Sequence, residues 1–183
     1  PLGSGKTCFV KGLAEGLGRE AHLEKWISSR EKIRQEVEVK GYDAARGVFV
    51  QAFGSTQMDA ALLLLPQVGF LPYDDPRMVR TTDAVWEALN EDGLLRRYAH
   101  GNDSMPGREG VFLACSFWLA ECLARQKRMD RARQVFQNAL GTGNDLGLFS
   151  EAFDTTAGEM LGNFPQGLTH LSLIAAATAL NGE

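Results

Sequence analysis

Apolar side chains recur along most of the chain at the spacing of amphipathic helices, and a glycine or proline closes nearly every run. In the segment 22–39, for example, Leu23, Trp26 and Ile33 fall at near-helical spacing before Gly41. The other segments with helical patterns and end signals are 7–17, 56–67, 76–90, 109–126, 129–140 and 166–180. The pattern therefore predicts an all-α protein of about seven helices.

Two stretches depart from the helical pattern. Residues 47–54 are rich in β-forming side chains and bounded by glycines, which predicts a short extended segment. Residues 141–165 form a long loop, and loops of this length are usually functional or disordered. This loop contains large apolar residues, which favours an ordered loop packed on the helices: Phe149, Phe153, Leu161 and Phe164.

The predicted helices form hairpins that repeat about every 35 to 50 residues, with irregular loops between them. Such a repeat indicates a stacked α-hairpin array or a toroid. The repeat alone does not distinguish a carbohydrate-processing enzyme from a helical interaction scaffold.

Length and composition fit one globular domain. The chain has 183 residues, of which 44% are hydrophobic and 23% are charged, and this is enough apolar material for a core. The 19 Lys and Arg residues and the 23 Asp and Glu residues are dispersed and leave a net charge of −4. Nucleic acid is therefore not an expected partner, because its binding needs a basic surface.

The cysteine, histidine and apolar-run patterns indicate a cytoplasmic protein without a metal or cofactor. The three cysteines are an odd and sparse set, which is typical of free thiols in a reducing compartment. The three histidines are scattered, and no Cys/His cluster has the spacing of a metal site. The longest apolar run, 60–66, is too short to span a bilayer, and no signal-peptide pattern is present, so no membrane partner is expected.

Residues 1–4 look like the remnant of a cleaved expression tag, which leaves 5–183 as a single predicted helical domain. Together with Gly5, Lys6 and Thr7 they imitate a phosphate-binding loop. A true loop of this kind follows a hydrophobic strand and needs an earlier glycine, and the sequence has neither. We therefore do not predict nucleotide binding.

Several separated motifs resemble, in one order, the glucoamylase-type glycoside hydrolases of family 15. The resemblance is greatest to the bacterial branch that contains glucoamylase-like and trehalase-like enzymes, and it extends from about residue 7 to the end of the chain. The motifs are GVFVQ (47–51), LLLLP (62–66), GFLP (69–72), REGVF (108–112), CSFW (115–118), NDLGL (144–148), SEAFD (150–154) and LGNFPQ (161–166).

The resemblance implies a fold and a reaction. The family fold is an (α/α)6 toroid of twelve helices with the active site in a funnel at one end. The chain supplies about seven of these helices, so it resembles the C-terminal half of the catalytic domain. Members of the family that resemble this chain hydrolyse α-glucosidic bonds with inversion, which requires two carboxyl groups on opposite faces of the sugar, roughly 6.5–9.5 Å apart.

The motif SEAFD (150–154) matches the family segment that carries the general base, and the resemblance places that role on Glu151. The alternative is that Glu151 is a solvated loop glutamate. The family motif with the general acid, which contains Trp and Glu, does not occur in this sequence. Because proton transfer of this kind is typically worth 10²–10⁴-fold in rate, the isolated chain is expected to be inactive or nearly so.

Three further residues are candidates for substrate binding by their motif positions. Arg97 resembles a sugar-binding arginine, and a solvated surface arginine is an equally good interpretation. Glu109 either binds sugar hydroxyls or favours the start of a helix. Phe112 either lines the sugar pocket or belongs to the core. Weaker candidates, each with a structural alternative, are Gln51, Asp59, Trp118 and His170.

Three hypotheses remain open at this point. The first is a partial glycoside hydrolase domain acting on an α-glucoside oligosaccharide or disaccharide. The second is a non-catalytic carbohydrate-binding or regulatory remnant, and the third is an α-hairpin scaffold for protein partners. Because half of a toroid would expose apolar edges, we also expect self-association or pairing with the missing N-terminal half.

Overall fold

The structure, a computed structural model, describes residues 23–99 and 110–182. These residues form five α-helices: α1 (Leu23–Lys40), α2 (Pro76–Leu89), α3 (Leu113–Arg125), α4 (Met129–Leu140) and α5 (Gly167–Leu180). A 3-10 helix spans Ala60–Leu64. The all-α class is confirmed, and the helix predicted at 7–17 lies outside the described residues.

In residues 23–99 and 110–182, seven short strands join the helices, in agreement with the prediction of short extended segments in the loops. Two antiparallel pairs precede α3, and a three-stranded antiparallel sheet has the order β5-β6-β7. The strands are β1 (Tyr42–Asp43), β2 (Val48–Phe49), β3 (Asn90–Glu91), β4 (Leu94–Leu95), β5 (Val111–Phe112), β6 (Ala152–Asp154) and β7 (Glu159–Leu161). The predicted extended segment at 47–54 is therefore reduced to β2, and the predicted loop at 141–165 contains the β6–β7 hairpin.

The helix predicted at 56–67 is wrong in extent, since only Ala60–Leu64 is helical. Asp59 is extended and bridges Tyr98, and its side chain accepts a hydrogen bond from the backbone N–H of Ala61 at 2.7 Å. These contacts start the helix at residue 60. Pro66 has no N–H with which to continue it.

The helix predicted at 109–126 begins later than its sequence pattern indicates. Val111 and Phe112 pair with β6 instead, and the backbone N–H of Leu113 donates to the carbonyl of Glu151 at 3.1 Å. Pairing with a distant strand thus overrides the local helical preference.

Helix α3 is the centre of the core and packs against both α4 and α5. Nearly all of its residues are buried, as its apolar sequence predicts. Phe117 contacts the rings of Phe136 and Phe149 edge to face, with centroids 5.7 and 5.9 Å away. The loop residue Phe149 is thereby fixed to the core.

Helices α5 and α1 both have faces that are exposed to solvent. One face of α5 packs on α3, while its other face exposes Leu168, Leu171 and Ile174 by 43, 67 and 59%. No residue from 24 to 40 in α1 is buried. Within the described ranges, none of the helices is long and apolar enough for a bilayer crossing.

Asp75 caps the start of α2, and its replacement is expected to destabilise the fold. Its carboxylate accepts hydrogen bonds from the backbone N–H of Arg77 at 2.8 Å and from the Arg77 guanidinium at 3.1 and 2.7 Å. The bonds from Arg77 hold the pKa of Asp75 below its usual range. We expect Asp75→Ala to lower the free energy of unfolding by about 1 kcal/mol at neutral pH, measured by urea denaturation.

The pH dependence follows from the lowered pKa of Asp75. A carboxyl with a lowered folded pKa stabilises the protein above its unfolded value of about 3.9, and this contribution is lost as the pH falls through the folded pKa. The difference between wild type and Asp75→Ala should therefore shrink on acidification below about pH 4. Asp75→Asn, which keeps a capping acceptor, should lose less at neutral pH. Equal stabilities of wild type and Asp75→Ala at neutral pH would contradict this account.

Candidate active site

Glu151 lies on a segment that is tied to the start of α5. The carbonyl of Phe149 accepts a hydrogen bond from the backbone N–H of Gln166 at 2.8 Å. The carbonyl of Ser150, a fully buried residue, accepts from the hydroxyl of Thr169 at 3.0 Å. Glu151 itself is half-buried and directly follows these anchored residues. Hydrogen bonds therefore fix the main chain directly before the candidate base.

The main chain of Glu151 is bonded on both sides. Its carbonyl accepts from the N–H of Leu113, the first residue of α3, at 3.1 Å. Its own N–H donates to the carbonyl of Asn163 at 2.9 Å. Glu151 thus precedes the middle strand of the β5-β6-β7 sheet, beside the N-terminal turn of α3.

Asn163 also holds the carboxylate of Glu151. The backbone N–H and the side-chain amide of Asn163 donate to the same oxygen, Oε2, at 3.1 and 3.0 Å. Hydrogen bonds to an ionised group are stronger than those between neutral groups. Among the described residues, Oε1 of Glu151 has no hydrogen-bond partner.

Gly162 permits this close approach. Its φ of +73° lies in the left-handed region, which favours glycine. A Cβ atom on Gly162 would lie 2.9 Å from Oε2 and 3.0 Å from Cβ of Glu151. A side chain at this position would therefore be strained and would displace the carboxylate.

Phe112 lies on the strand next to the Glu151 segment, because it pairs with Ala152, the residue after Glu151, across the β5–β6 ladder. Its half-buried ring is 6.5 Å from that of Trp118. Trp118 donates its indole N–H to the hydroxyl of Ser172 at 2.9 Å, so Trp118 is fixed between α3 and α5.

Arg97 and Asp59 lie near the same end of α3. Burial raises the pKa of the Cys115 thiol well above its usual value, with a further rise from the charge of Asp59 and an opposing effect of Arg97. The main chain gives the geometry: the N–H of Leu95 donates to the hydroxyl of Ser116 in the first turn of α3 at 2.9 Å, and the carbonyl of Arg97 accepts from the N–H of Ala60 at 2.8 Å. Arg97 is exposed, and its guanidinium carbon is 5.9 Å from the centre of the Tyr98 ring.

Comparison with known proteins identifies the family of this chain. Residues 11–178 match the family model for glycosyl hydrolases family 15. The chain belongs to this family. It is 41% identical over 168 residues to a trehalase from Thermoplasma volcanium, and 39% identical over 166 residues to a trehalase from Mycobacterium tuberculosis.

The family 15 chain covers only part of its relatives. The matches include 92 and 90% of this chain but 27 and 24% of the two trehalases, so the chain spans about a quarter of their length. A glycosidase solved in complex with glucose has the same fold, with a TM-score of 0.80 at 20% identity. That match covers 95% of this chain and 49% of the glycosidase. The predicted family membership is confirmed, and this coverage agrees with the half-toroid prediction.

Of the four family 15 site residues predicted from the motifs, the structure brings Glu151 and Phe112 to the N-terminal end of α3, and Arg97 follows β4, whose Leu95 bonds the first turn of α3. Glu109 lies outside the described residues. Asn163 and Gly162 were not predicted as site residues, although both occur in the LGNFPQ motif (161–166). Their contribution depends on the backbone geometry at Gly162, which the motif alone does not show.

Three of the weaker family 15 candidates make contacts that the structure describes. Asp59 caps the 3-10 helix, and the backbone N–H of Gln51 donates to the carbonyl of Gln57 at 2.9 Å. Nδ1 of His170 bonds the carbonyl of Gln166 at 2.7 Å, and its ring packs edge to face on Phe149. These contacts favour the structural interpretation of Asp59. The Gln51 bond is a main-chain bond, and Nε2 of His170 is buried without a hydrogen-bond partner among the described residues, so the roles of these two side chains stay predictions.

A cavity of about 880 Å³ lies between α1 and the segment 62–70, away from Glu151. Its lining is mostly apolar, and it includes Ile33, Val37, Phe49, Phe53, Leu65 and Phe70. None of Glu151, Phe112 and Arg97 lines this cavity. Within the described part of the chain, no group of three or more His, Cys, Asp or Glu side chains is placed to hold a metal ion.

Proposed function

We propose that this chain is part of the catalytic domain of a family 15 glycosidase that hydrolyses an α-glucoside with inversion, and that Glu151 is the general base. The observation that carries the proposal is the unequal hydrogen bonding of the two carboxylate oxygens of Glu151. One of its oxygens is held by Asn163, while the other has no hydrogen bond among the described residues. A general base needs such an oxygen within reach of the proton that it removes.

In the proposed reaction, Oε1 of Glu151 accepts a proton from a water molecule as the water oxygen attacks the anomeric carbon. The glycosidic bond breaks as a general acid protonates the leaving oxygen, and the configuration at the anomeric carbon inverts. Arg97 supplies N–H donors to sugar hydroxyls through its planar guanidinium group. Phe112, on the neighbouring strand β5, supplies an apolar wall of the sugar site.

We assign only the base to this chain. The family motif that carries the general acid does not occur in the sequence, so we assign the acid to the remainder of a family 15 domain. The match to 49% of a solved glycosidase supports this division. The trehalose-cleaving relatives named above make trehalose the first substrate to test.

We further propose that the exposed face of α5 (Leu168, Leu171 and Ile174) pairs with the remainder of the domain or with a second copy of the chain. The three side chains follow each other at helical spacing and are 43 to 67% exposed. Apolar patches of this kind are normally covered in soluble proteins. The unburied helix α1 offers a second face for the same purpose.

A segment exchange tests the proposed function. The matched 168-residue segment of the Thermoplasma volcanium trehalase is replaced by its counterpart from this chain. We expect the hybrid enzyme to hydrolyse trehalose, whereas the 183-residue chain alone should not turn it over. Inversion at one of the two α-linked glucoses predicts equal amounts of α- and β-glucose in early NMR spectra. A folded hybrid that is inactive, or that first releases only α-glucose, would disprove the proposal.

A further inference from the structure

We propose that Asn163 is the positioning residue of the general base: it holds Oε2 of Glu151 and so leaves Oε1 to take the proton from water. This inference rests on the proposed role of Glu151. It assigns a function to a residue that does not itself touch the substrate, and it states which carboxylate oxygen performs the reaction.

Three hydrogen bonds join Asn163 and Glu151. The carbonyl of Asn163 accepts from the N–H of Glu151 at 2.9 Å, which fixes the main chain of the base. The backbone N–H and the side-chain amide then converge on Oε2 at 3.1 and 3.0 Å, which fixes the carboxylate. A free glutamate side chain rotates among several rotamers, and productive catalysis needs one of them.

The backbone at Gly162 creates this arrangement. The ladder between β6 and β7 pairs Ala152 with Leu161, but the next main-chain bond joins Glu151 to Asn163 rather than to Gly162. Two residues therefore oppose Glu151, and Gly162 is in the left-handed conformation, as in a glycine-type β-bulge. Bulges of this kind often lie next to active sites and redirect a side chain. Here the bulge turns both donors of Asn163 toward the carboxylate.

A purely structural role explains these contacts less well. Buried polar groups need hydrogen-bond partners within the protein, but Asn163 is exposed. Water would solvate its side-chain amide if the bond to Glu151 were absent. The main-chain bond from Glu151 to Asn163 already closes the loop. The side-chain bond adds orientation of the carboxylate, which is what a general base requires.

Kinetics of the hybrid trehalase test this role. We expect Asn163→Ala to lower kcat for trehalose by about 10- to 100-fold, because a misplaced catalytic group costs rate, while KM changes by less than about threefold. Asn163→Asp keeps the shape but replaces the donor by a like charge, and it should lose at least as much. Asn163→Gln, which keeps the amide donor, should recover part of the loss.

Asn138 provides the matched control. It is also exposed, and its amide donates to the carbonyl of Gly93 at 3.2 Å, a contact that involves neither Glu151 nor Asn163. Asn138→Ala should leave kcat unchanged and shift the melting temperature as little as Asn163→Ala does. In NMR spectra of the 183-residue chain, Glu151→Gln should shift the side-chain amide signal of Asn163 but not that of Asn138.

The outcomes separate this inference from the proposed function. If kcat of a folded Asn163→Ala or Asn163→Asp hybrid stays within about twofold of wild type while Glu151→Gln abolishes turnover, Asn163 is not a positioning residue and Glu151 remains the base. If Glu151→Gln keeps full activity, the proposed function itself fails. If the amide signal of Asn163 does not respond to Glu151→Gln, the contact on which the inference rests is disproved.

Discussion

Glu151→Gln is expected to lower kcat for trehalose hydrolysis by the hybrid enzyme by about 10²–10⁴-fold, the usual contribution of general acid–base catalysis. The amide has nearly the same shape as the carboxylate and can still accept hydrogen bonds, but it cannot take a proton from water. The Leu113 and Asn163 contacts to the main chain of residue 151 are retained. KM should therefore change little, and the loss should appear in kcat measured by glucose release.

Two controls make the Glu151 result specific. Glu159 lies on β7 of the same hairpin and is exposed, so Glu159→Gln repeats the chemical change away from the proposed site and should leave kcat unchanged. α-Glucosyl fluoride serves as a second substrate, because fluoride leaves without protonation and the reaction then reports the base alone. Glu151→Gln should abolish its hydrolysis as well. A loss on trehalose with full activity on the fluoride would assign Glu151 to the acid side of the reaction instead.

The sequence predicts those elements whose signals are local. Helix α4 is found at Met129–Leu140, as predicted, because its apolar positions, its first-turn aspartate and the glycine that follows it agree. Helix α2 begins at Pro76 as predicted, because a proline in the first turn and the capping Asp75 act within a few residues. Such elements need no information from distant parts of the chain.

Elements that depend on distant partners are less predictable. Val111 and Phe112 have a helical pattern but form β5, because β6 lies about forty residues further along the chain and supplies the pairing partner. The motif singles out Glu151, but its place beside α3 follows from the distant bond to Leu113, and the contacts of Asn163 depend on the left-handed backbone at Gly162. The bond from Leu95, two residues before Arg97, to Ser116 at the start of α3 is likewise a result of tertiary packing that no local pattern shows.

The second large effect is expected at Glu121, a buried carboxylate in the middle of the core helix α3. Its side chain is 5% exposed and accepts from three donors: the amide of Gln67 at 2.5 Å, the hydroxyl of Tyr73 at 3.2 Å and the guanidinium of Arg125 at 3.1 Å. Burial and the nearby charge of Glu121 raise the pKa of Tyr73 well above its usual value. The network ties the segment that contains Gln67 and Tyr73 to α3.

Glu121→Ala removes the common acceptor and leaves the Gln67 and Tyr73 donors unpaired. We expect the free energy of unfolding of the 183-residue chain to fall by about 3 kcal/mol, measured by urea denaturation at neutral pH. Arg125 is 37% exposed and can turn to solvent, so the loss should stay below that of a fully buried ion pair. Glu121→Gln, which keeps one acceptor oxygen, should lose less.

Glu36 in α1 is the matched control for Glu121. It also pairs with a basic residue four positions later, Lys40, but both side chains are 55% exposed. Because exposed pairs contribute little, Glu36→Ala should change the free energy of unfolding by less than about 0.5 kcal/mol. A loss below about 1 kcal/mol for Glu121→Ala would mean that desolvation of the carboxylate offsets its hydrogen bonds. If Glu121→Ala lowers the free energy of unfolding much more than Glu36→Ala does, the hydrogen bonds of Glu121 with Gln67 and Tyr73 stabilise the fold, and the (i, i+4) ion pair alone does not explain the effect.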